Sequence, residues 1–104
     1  MKGTYLRFYV QENRKHHGIL LYEWLLETAR KAGIHGGSAF RAMAGFGRHH
    51  QLQENHFFEL AGTLTIEVEF VVSDDEATQL LDLVKRQKLR LFHAQLPARF
   101  GIVE

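Results

Sequence analysis

Four consecutive residues, Gly45-Phe46-Gly47-Arg48, combine two glycines with a cation in a pattern that suits phosphate. Glycines let backbone amides approach phosphate oxygens closely, because no Cβ stands in the way. A guanidinium adds a planar fork that binds a phosphate through two hydrogen bonds. These residue types predict an anion site, and the alternative is a strand end with bulge glycines and a solvated arginine.

Histidines form a second group of residues with possible chemistry. His49, His50 and His56 lie in one polar stretch, and His16 and His17 lie in another. Imidazole nitrogens bind copper, nickel or zinc. However, neighbouring histidines in a sequence do not easily reach one ion together, and a solvated polar loop is the favoured explanation. Divalent metal binding by the first three therefore remains an alternative hypothesis.

Catalytic chemistry has little support in the sequence. The chain contains no cysteine, which excludes a disulfide scaffold, a thiolate zinc site and a cysteine nucleophile. Ser38, His93 and the acidic residues include the types found in a triad, but no nucleophile-elbow pattern places them together. Glu67 and Glu69 share one face of a predicted strand, where pairing with nearby arginines is the simpler account. We expect no enzymatic activity.

Length and charge restrict the class of protein. The 104 residues predict one domain, 1–104, and the net charge of +1 gives no argument for nucleic acid or a membrane surface. No apolar run approaches the roughly 20 residues of a membrane span. Residues 1–10 are too short and polar for a signal peptide. We expect a cytoplasmic protein that binds no nucleic acid and does not insert into a membrane.

Hydrophobic periodicity predicts a ferredoxin-like β-α-β-β-α-β sandwich, an α+β fold with two helices on one face of a four-stranded antiparallel sheet. Gly33 suits a left-handed cap at the end of the first helix. Ser73 and Glu76 have the spacing of a capping box at the start of the second. Strands are expected at 4–10, 38–46, 63–72 and 89–96, with loops at 11–18 and 47–60, an interruption at Pro97 and a possible short final strand at 100–103.

The sheet face away from the helices predicts an assembly. A single subunit could leave a half-polar face in water, whereas a ring of subunits would bury its aromatic residues and pair its charges. We favour the ring, because the helices cover one face of the sheet. The residues expected on this uncovered face are Tyr5, Arg7, Tyr9, Arg41, Met43, Glu67 and Glu69.

The glycine segment at 45–48 resembles the signature of PII signalling proteins, in which it opens the flexible loop that reports ligand state. A PII-like subgroup, the family called domain of unknown function 190, is more similar still. The similarity to it lies in the stretch 21–23, the turn at 33–39 and the spacing from that turn to 45–47. The resemblance covers nearly the whole chain.

This resemblance implies a homotrimer that binds a small anionic ligand, an adenine nucleotide such as ATP, ADP or AMP, in clefts between subunits. It also implies that loop 48–60 contacts a partner protein when the ligand orders it. The CutA family, a structural relative of PII linked to metal tolerance, supports the alternative metal hypothesis. The implied ligand-binding residues are Gly37, Ser38, Gly45, Phe46, Gly47, Arg48, His49, Lys88 and Arg90.

Overall fold

The computed structural model describes residues 1–46 and 64–104. Four strands form an antiparallel sheet in the order β4-β5-β1-β6, and β2 pairs with β3 in a separate small hairpin. Together with two helices, this topology confirms the predicted ferredoxin-like fold. The elements are β1 Lys2–Gln11, β2 Lys15–His16, β3 Ile19–Leu20, α1 Leu21–Lys31, β4 Ser38–Arg41, β5 Thr65–Val72, α2 Asp74–Arg86 and β6 Phe92–Arg99.

The core lies between one face of the sheet and both helices. Alternate residues of β1 and β5 are buried, as expected for strands with one apolar face. Phe8 and Phe70 meet edge to face at its centre, with ring centroids 6.4 Å apart. The buried hydrophobic residues are Leu6, Phe8, Val10, Leu21, Leu25, Ala29, Ile34, Ile66, Val68, Phe70, Val72, Ala77, Leu80 and Val84.

The second helix begins with the predicted capping box. Ser73 Oγ accepts a hydrogen bond from the Glu76 amide at 3.1 Å, and the Ser73 amide donates to Glu76 Oε1 at 2.9 Å. Two of the amide groups that a helix start leaves without partners are thereby satisfied. Within residues 1–46 and 64–104, no helix has the length and apolar character needed to cross a membrane.

Both helices end in a Schellman motif, but with different residues in the left-handed position. In α1 that residue is Gly33, with φ of 90°, as predicted. In α2 it is Lys88, with φ of 57°, and the Leu89 amide donates back to the Val84 carbonyl at 3.3 Å. A residue with a Cβ costs roughly 1–2 kcal/mol in this conformation, whereas glycine adopts it freely. Lys88 is therefore held at some expense in stability.

The predicted strand at 38–46 is shorter than expected, and its faces are reversed. It ends at Arg41, and its register places Phe40 opposite Glu67 and Arg41 opposite Ile66. Phe40 therefore belongs to the uncovered face, while Arg41 begins on the helix side. Met43 lies beyond the strand, so the register of β4 does not place it on either face. The small residues of this segment alternate too weakly to define its faces.

Three further expectations differ from the structure. The loop predicted at 11–18 contains β2 and leads into β3. The last sheet strand begins at Phe92 and continues through Pro97, which lies opposite Thr4. Because β6 is an edge strand, a proline can occupy it without removing a ladder hydrogen bond, provided its nitrogen faces outward. Residues 100–103 form no strand.

Candidate functional site

Six of the nine predicted ligand-binding residues are among those that the structure describes. Gly47, Arg48 and His49 lie outside the described residues, as do the other two alternative metal ligands, His50 and His56. The six described residues fall into two groups. Gly37, Ser38, Gly45 and Phe46 lie around β4, whereas Lys88 and Arg90 lie between α2 and β6.

The group around β4 brackets a short edge strand. Ser38 is its first residue and pairs with Glu69, and Gly45 and Phe46 follow it on exposed backbone. A Cβ added to Gly45 would meet no atom within 4 Å. Its backbone is therefore accessible to a ligand.

Gly37 has a packing reason for being glycine. A Cβ at this position would lie 2.5 Å from Cε1 of Phe70 and 3.1 Å from Cδ2 of Leu26. Phe70 is part of the buried core, so its ring cannot move aside cheaply. Gly37 lets the chain pass close to the core on its way into β4.

Glu12 links the last residue of β4, Arg41, to Leu64, the residue before β5. Its carboxylate accepts a hydrogen bond from Arg41 Nε at 2.5 Å and another from the Leu64 amide at 3.3 Å. The Glu12 amide in turn donates to the Leu64 carbonyl at 2.8 Å. The turn after β1 therefore holds the last residue of β4 and the residue before β5, which positions the chain that leads to Gly45.

The Glu12 carboxylate is charged over a wider pH range than a free one. The hydrogen bond from Arg41 is the main cause that lowers the pKa of Glu12, and the same contact raises the pKa of Arg41. A carboxyl group with a lowered pKa in the folded state stabilises the fold at pH values above its unfolded pKa. That stabilisation is lost as the pH falls through the folded pKa.

We therefore predict that Glu12→Gln lowers the free energy of unfolding at pH 7, and that the difference from wild type shrinks as the pH falls through the folded pKa of Glu12. Urea unfolding at a series of pH values measures this difference. Glu104→Gln, at an exposed position in the C-terminal segment, is the matched control and should show little difference. A Glu12→Gln deficit of equal size at all pH values would contradict the assignment.

The second group of residues is held by the β2–β3 hairpin. Arg14 Nη1 donates to the Arg90 carbonyl at 3.4 Å, and Nε2 of His16 and Nε2 of His17 each lie 3.1 Å from Gln87 Oε1. The hairpin turn, residues 17–18, has positive φ at both positions, as a type I′ turn requires. This hairpin is not predicted from the sequence. Gly18 after a histidine was its one local signal, because two-residue strands show no periodicity.

The two groups extend from opposite edges of the sheet. Gly45 and Phe46 follow β4, and Arg90 precedes β6, at the same end of the sheet. Two strands, β5 and β1, separate these edges, and strands lie about 4.8 Å apart, which puts β4 and β6 roughly 14 Å from each other. The fold of one chain therefore brings Gly45 and Phe46 to the same end of the sheet as Arg90 without joining their strands. Gly37 and Ser38 lie at the start of β4, away from that end.

The uncovered sheet face has a charged centre. Arg7 Nη1 lies 3.2 Å from Glu67 Oε1, and Arg7 Nη2 lies 3.0 Å from Glu69 Oε2. The guanidinium also donates to the hydroxyls of Tyr5 and Tyr9, at 3.0 and 3.3 Å, and the bond to Tyr5 contributes most to raising the pKa of Arg7. The Tyr5 hydroxyl donates to Glu69, which raises the pKa of Tyr5. The predicted pairing of Arg7 with the two glutamates is thus confirmed. The same pairing was predicted for Arg41, which instead pairs with Glu12.

Apolar side chains surround this charged centre. These side chains are between 47% and 55% exposed and come from β4, β5 and β6. They are Phe40, Val71, Phe92 and Leu96. In the register of the sheet they lie opposite three residues of the charged face, Glu67, Tyr5 and Tyr9. All four therefore point to the uncovered face. Several large apolar side chains exposed on one face are a common mark of a protein interaction surface.

Metal-binding geometry is not found in the described part of the chain. Within residues 1–46 and 64–104, no three His, Cys, Asp or Glu side chains are grouped so that they could hold an ion. The histidine pair in the hairpin provides two imidazoles, one fewer than the three ligands of such a group.

The packing of Gly37 gives a prediction that separates structural from ligand-related glycines. Gly37→Ala should lower the free energy of unfolding by about 1–3 kcal/mol, the usual cost of overpacking a core. Gly45→Ala should leave stability within about 0.5 kcal/mol of wild type, as for most surface changes. Chemical denaturation of both variants measures this. Equal losses in the two variants would contradict the packing role of Gly37.

The sequence of the chain is similar to known proteins. Residues 3–90 match the family described as "Uncharacterized ACR", domain of unknown function 190. A UPF0166 protein of Aquifex aeolicus (strain VF5) is 29% identical over 85 residues, which cover 82% of this chain and 81% of that protein. The family match includes β1 to α2 and both groups of predicted site residues, and it ends at Arg90, before β6.

Proposed function

We propose that this protein is a regulatory ligand-binding protein. The proposal starts from its family: the chain belongs to the PII-like family of uncharacterised proteins called domain of unknown function 190. Its ligand is a small anion, an adenine nucleotide, held in clefts between the subunits of a homotrimer. Binding orders loop 48–60, which then contacts a partner protein. The observation that carries this proposal is the gathering of accessible glycine backbone and exposed cations at one end of the sheet.

The chemistry of that end suits phosphate. Gly45 leaves open space around its backbone, and Lys88 and Arg90 are exposed cations on the segment before β6. Exposed cations and unobstructed amides are the groups that bind phosphoryl oxygens. Because β4 and β6 are opposite edges of one sheet, a compact ligand needs either to span the end of the sheet or to lie between neighbouring chains. An intersubunit cleft satisfies the second condition.

The uncovered sheet face supports assembly. Four half-exposed apolar side chains surround the Arg7 centre, which provides both buried area and fixed polar contacts for a second copy. Within the described residues, Arg7 Nε is buried and has no hydrogen-bond partner. Buried polar groups normally have partners, so an acceptor from a neighbouring subunit would complete this arginine.

The nucleotide proposal predicts a measurable heat. Isothermal titration calorimetry with ATP, ADP, AMP and cyclic dinucleotides should detect binding by the wild-type protein. Arg48→Ala and Arg90→Gln should each weaken it about tenfold, as expected for the loss of one charge-assisted contact. Arg30→Gln, on the exposed face of α1, removes the same charge elsewhere and should have no comparable effect. Absence of heat with every nucleotide would refute the nucleotide proposal.

The assembly proposal predicts a mass. Light scattering should give three times the chain mass of 12.0 kDa for the wild-type protein. Leu96→Lys, which places a charge in the apolar part of the uncovered face, should shift the mass toward that of the single chain. Ile19→Lys, on the hairpin and exposed to a similar extent, should leave the trimer intact. A wild-type protein that remains monomeric at high concentration would exclude the intersubunit cleft.

A further inference from the structure

Two histidine rings of the β2–β3 hairpin converge on a single atom. His16 Nε2 and His17 Nε2 each lie 3.1 Å from Oε1 of Gln87, the residue that caps the end of α2. A carboxamide oxygen accepts hydrogen bonds, so this contact pairs it with an N–H on Nε2 of both rings. Two N–H donors directed at one oxygen are the arrangement that binds an oxygen of an anion.

Backbone strain coincides with this contact. Among the described residues, His17 and Lys88 are the two non-glycine residues with positive φ, at 52° and 57°. His17 contacts the side chain of Gln87, and Lys88 follows Gln87 in the chain. Side chains with a Cβ disfavour this conformation, and such strain concentrates at functional sites. Glycine or asparagine would fit both positions with less strain, so the imidazole and the ammonium group require another reason.

The two segments that meet at this contact are rich in positive charge. The two segments that meet at Gln87, residues 14–17 and 85–90, contain six lysines and arginines and no aspartate or glutamate. Arg14 also joins the segments directly through its bond to the Arg90 carbonyl. A concentration of cations disfavours a metal ion and favours a multiply charged anion. The two imidazoles are therefore better suited to phosphoryl oxygens than to copper, nickel or zinc.

We propose that His16, His17 and Lys88 bind a phosphoryl group, and that the Gln87 carboxamide occupies the two imidazole donors until a phosphoryl oxygen replaces it. The ligand class is a diphosphate, either free or as part of a nucleotide. The inference rests on the proposed function where the ligand is a nucleotide, because Lys88 belongs to both. It adds donors from the hairpin, which no resemblance assigns.

Pyrophosphate is the direct probe of this site. Calorimetry at constant ionic strength should show that His17→Asn and Lys88→Gly each bind pyrophosphate about tenfold more weakly than wild type, as expected for the loss of a charge-assisted hydrogen bond. Asparagine and glycine both suit the left-handed conformation. Thermal unfolding should therefore occur at the same or a higher temperature in both variants, which separates lost binding from lost folding.

Two further variants complete the test. Gln87→Ala should bind pyrophosphate as well as wild type or more tightly, because it removes the group that competes for the imidazole donors. Lys31→Gln, at the end of α1, removes a cation outside the two segments and should leave affinity within about twofold. Unchanged affinity in both His17→Asn and Lys88→Gly, or no pyrophosphate binding by the wild-type protein, overturns the inference.

A comparison of ligands distinguishes this inference from the proposed function. If ADP binds and Arg48→Ala abolishes binding while His17→Asn has no effect, the nucleotide proposal stands and the hairpin site does not. If pyrophosphate binding depends on His17 while ADP and AMP give no additional affinity for adenine, the hairpin site stands and the nucleotide proposal fails.

Discussion

The position of β1 at the centre of the sheet is the constraint on which the rest of the structure depends. Its alternation directs Leu6 and Phe8 into the core and Tyr5 and Arg7 to the opposite face. Strand side chains alternate with period two, so a slip of one residue would bury the arginine under the helices and expose the phenylalanine. The ion pairs of Arg7 with β5 are compatible with the observed register and not with the slipped one. Core packing and surface charge thus specify the same pairing.

Much of this fold follows from local sequence. The regular alternation of β1 and β5 predicts their buried faces, and Ser73 and Gly33 predict a helix start and a helix end. The segment at 38–46 is different, because its three alanines and one glycine have no strong preference for either face. Its faces are set by pairing with Glu67 and Ile66 on β5, which is a tertiary constraint that the local pattern does not contain.

The candidate site is harder to predict for a related reason. Gly37 was assigned to ligand binding, but its close approach to the Phe70 ring becomes visible when α1 and the sheet are packed together. The hairpin histidines are adjacent in sequence, which argued against their acting together. A left-handed turn rotates the chain between them and brings both rings to Gln87. Residue types indicate possible chemistry, whereas convergence depends on backbone conformations that a motif does not reveal.

The ends of the two helices differ in backbone strain. The same motif closes both, with glycine in α1 and lysine in α2. A fold with one small core has little stability to spare, since it buries a smaller share of its surface than a larger fold does. A strained lysine is tolerable if assembly through the uncovered face or a bound anion contributes stability in return. On this view the left-handed Lys88, the basic segments and the half-apolar face are parts of one arrangement, in which the isolated, unliganded chain is the least stable form.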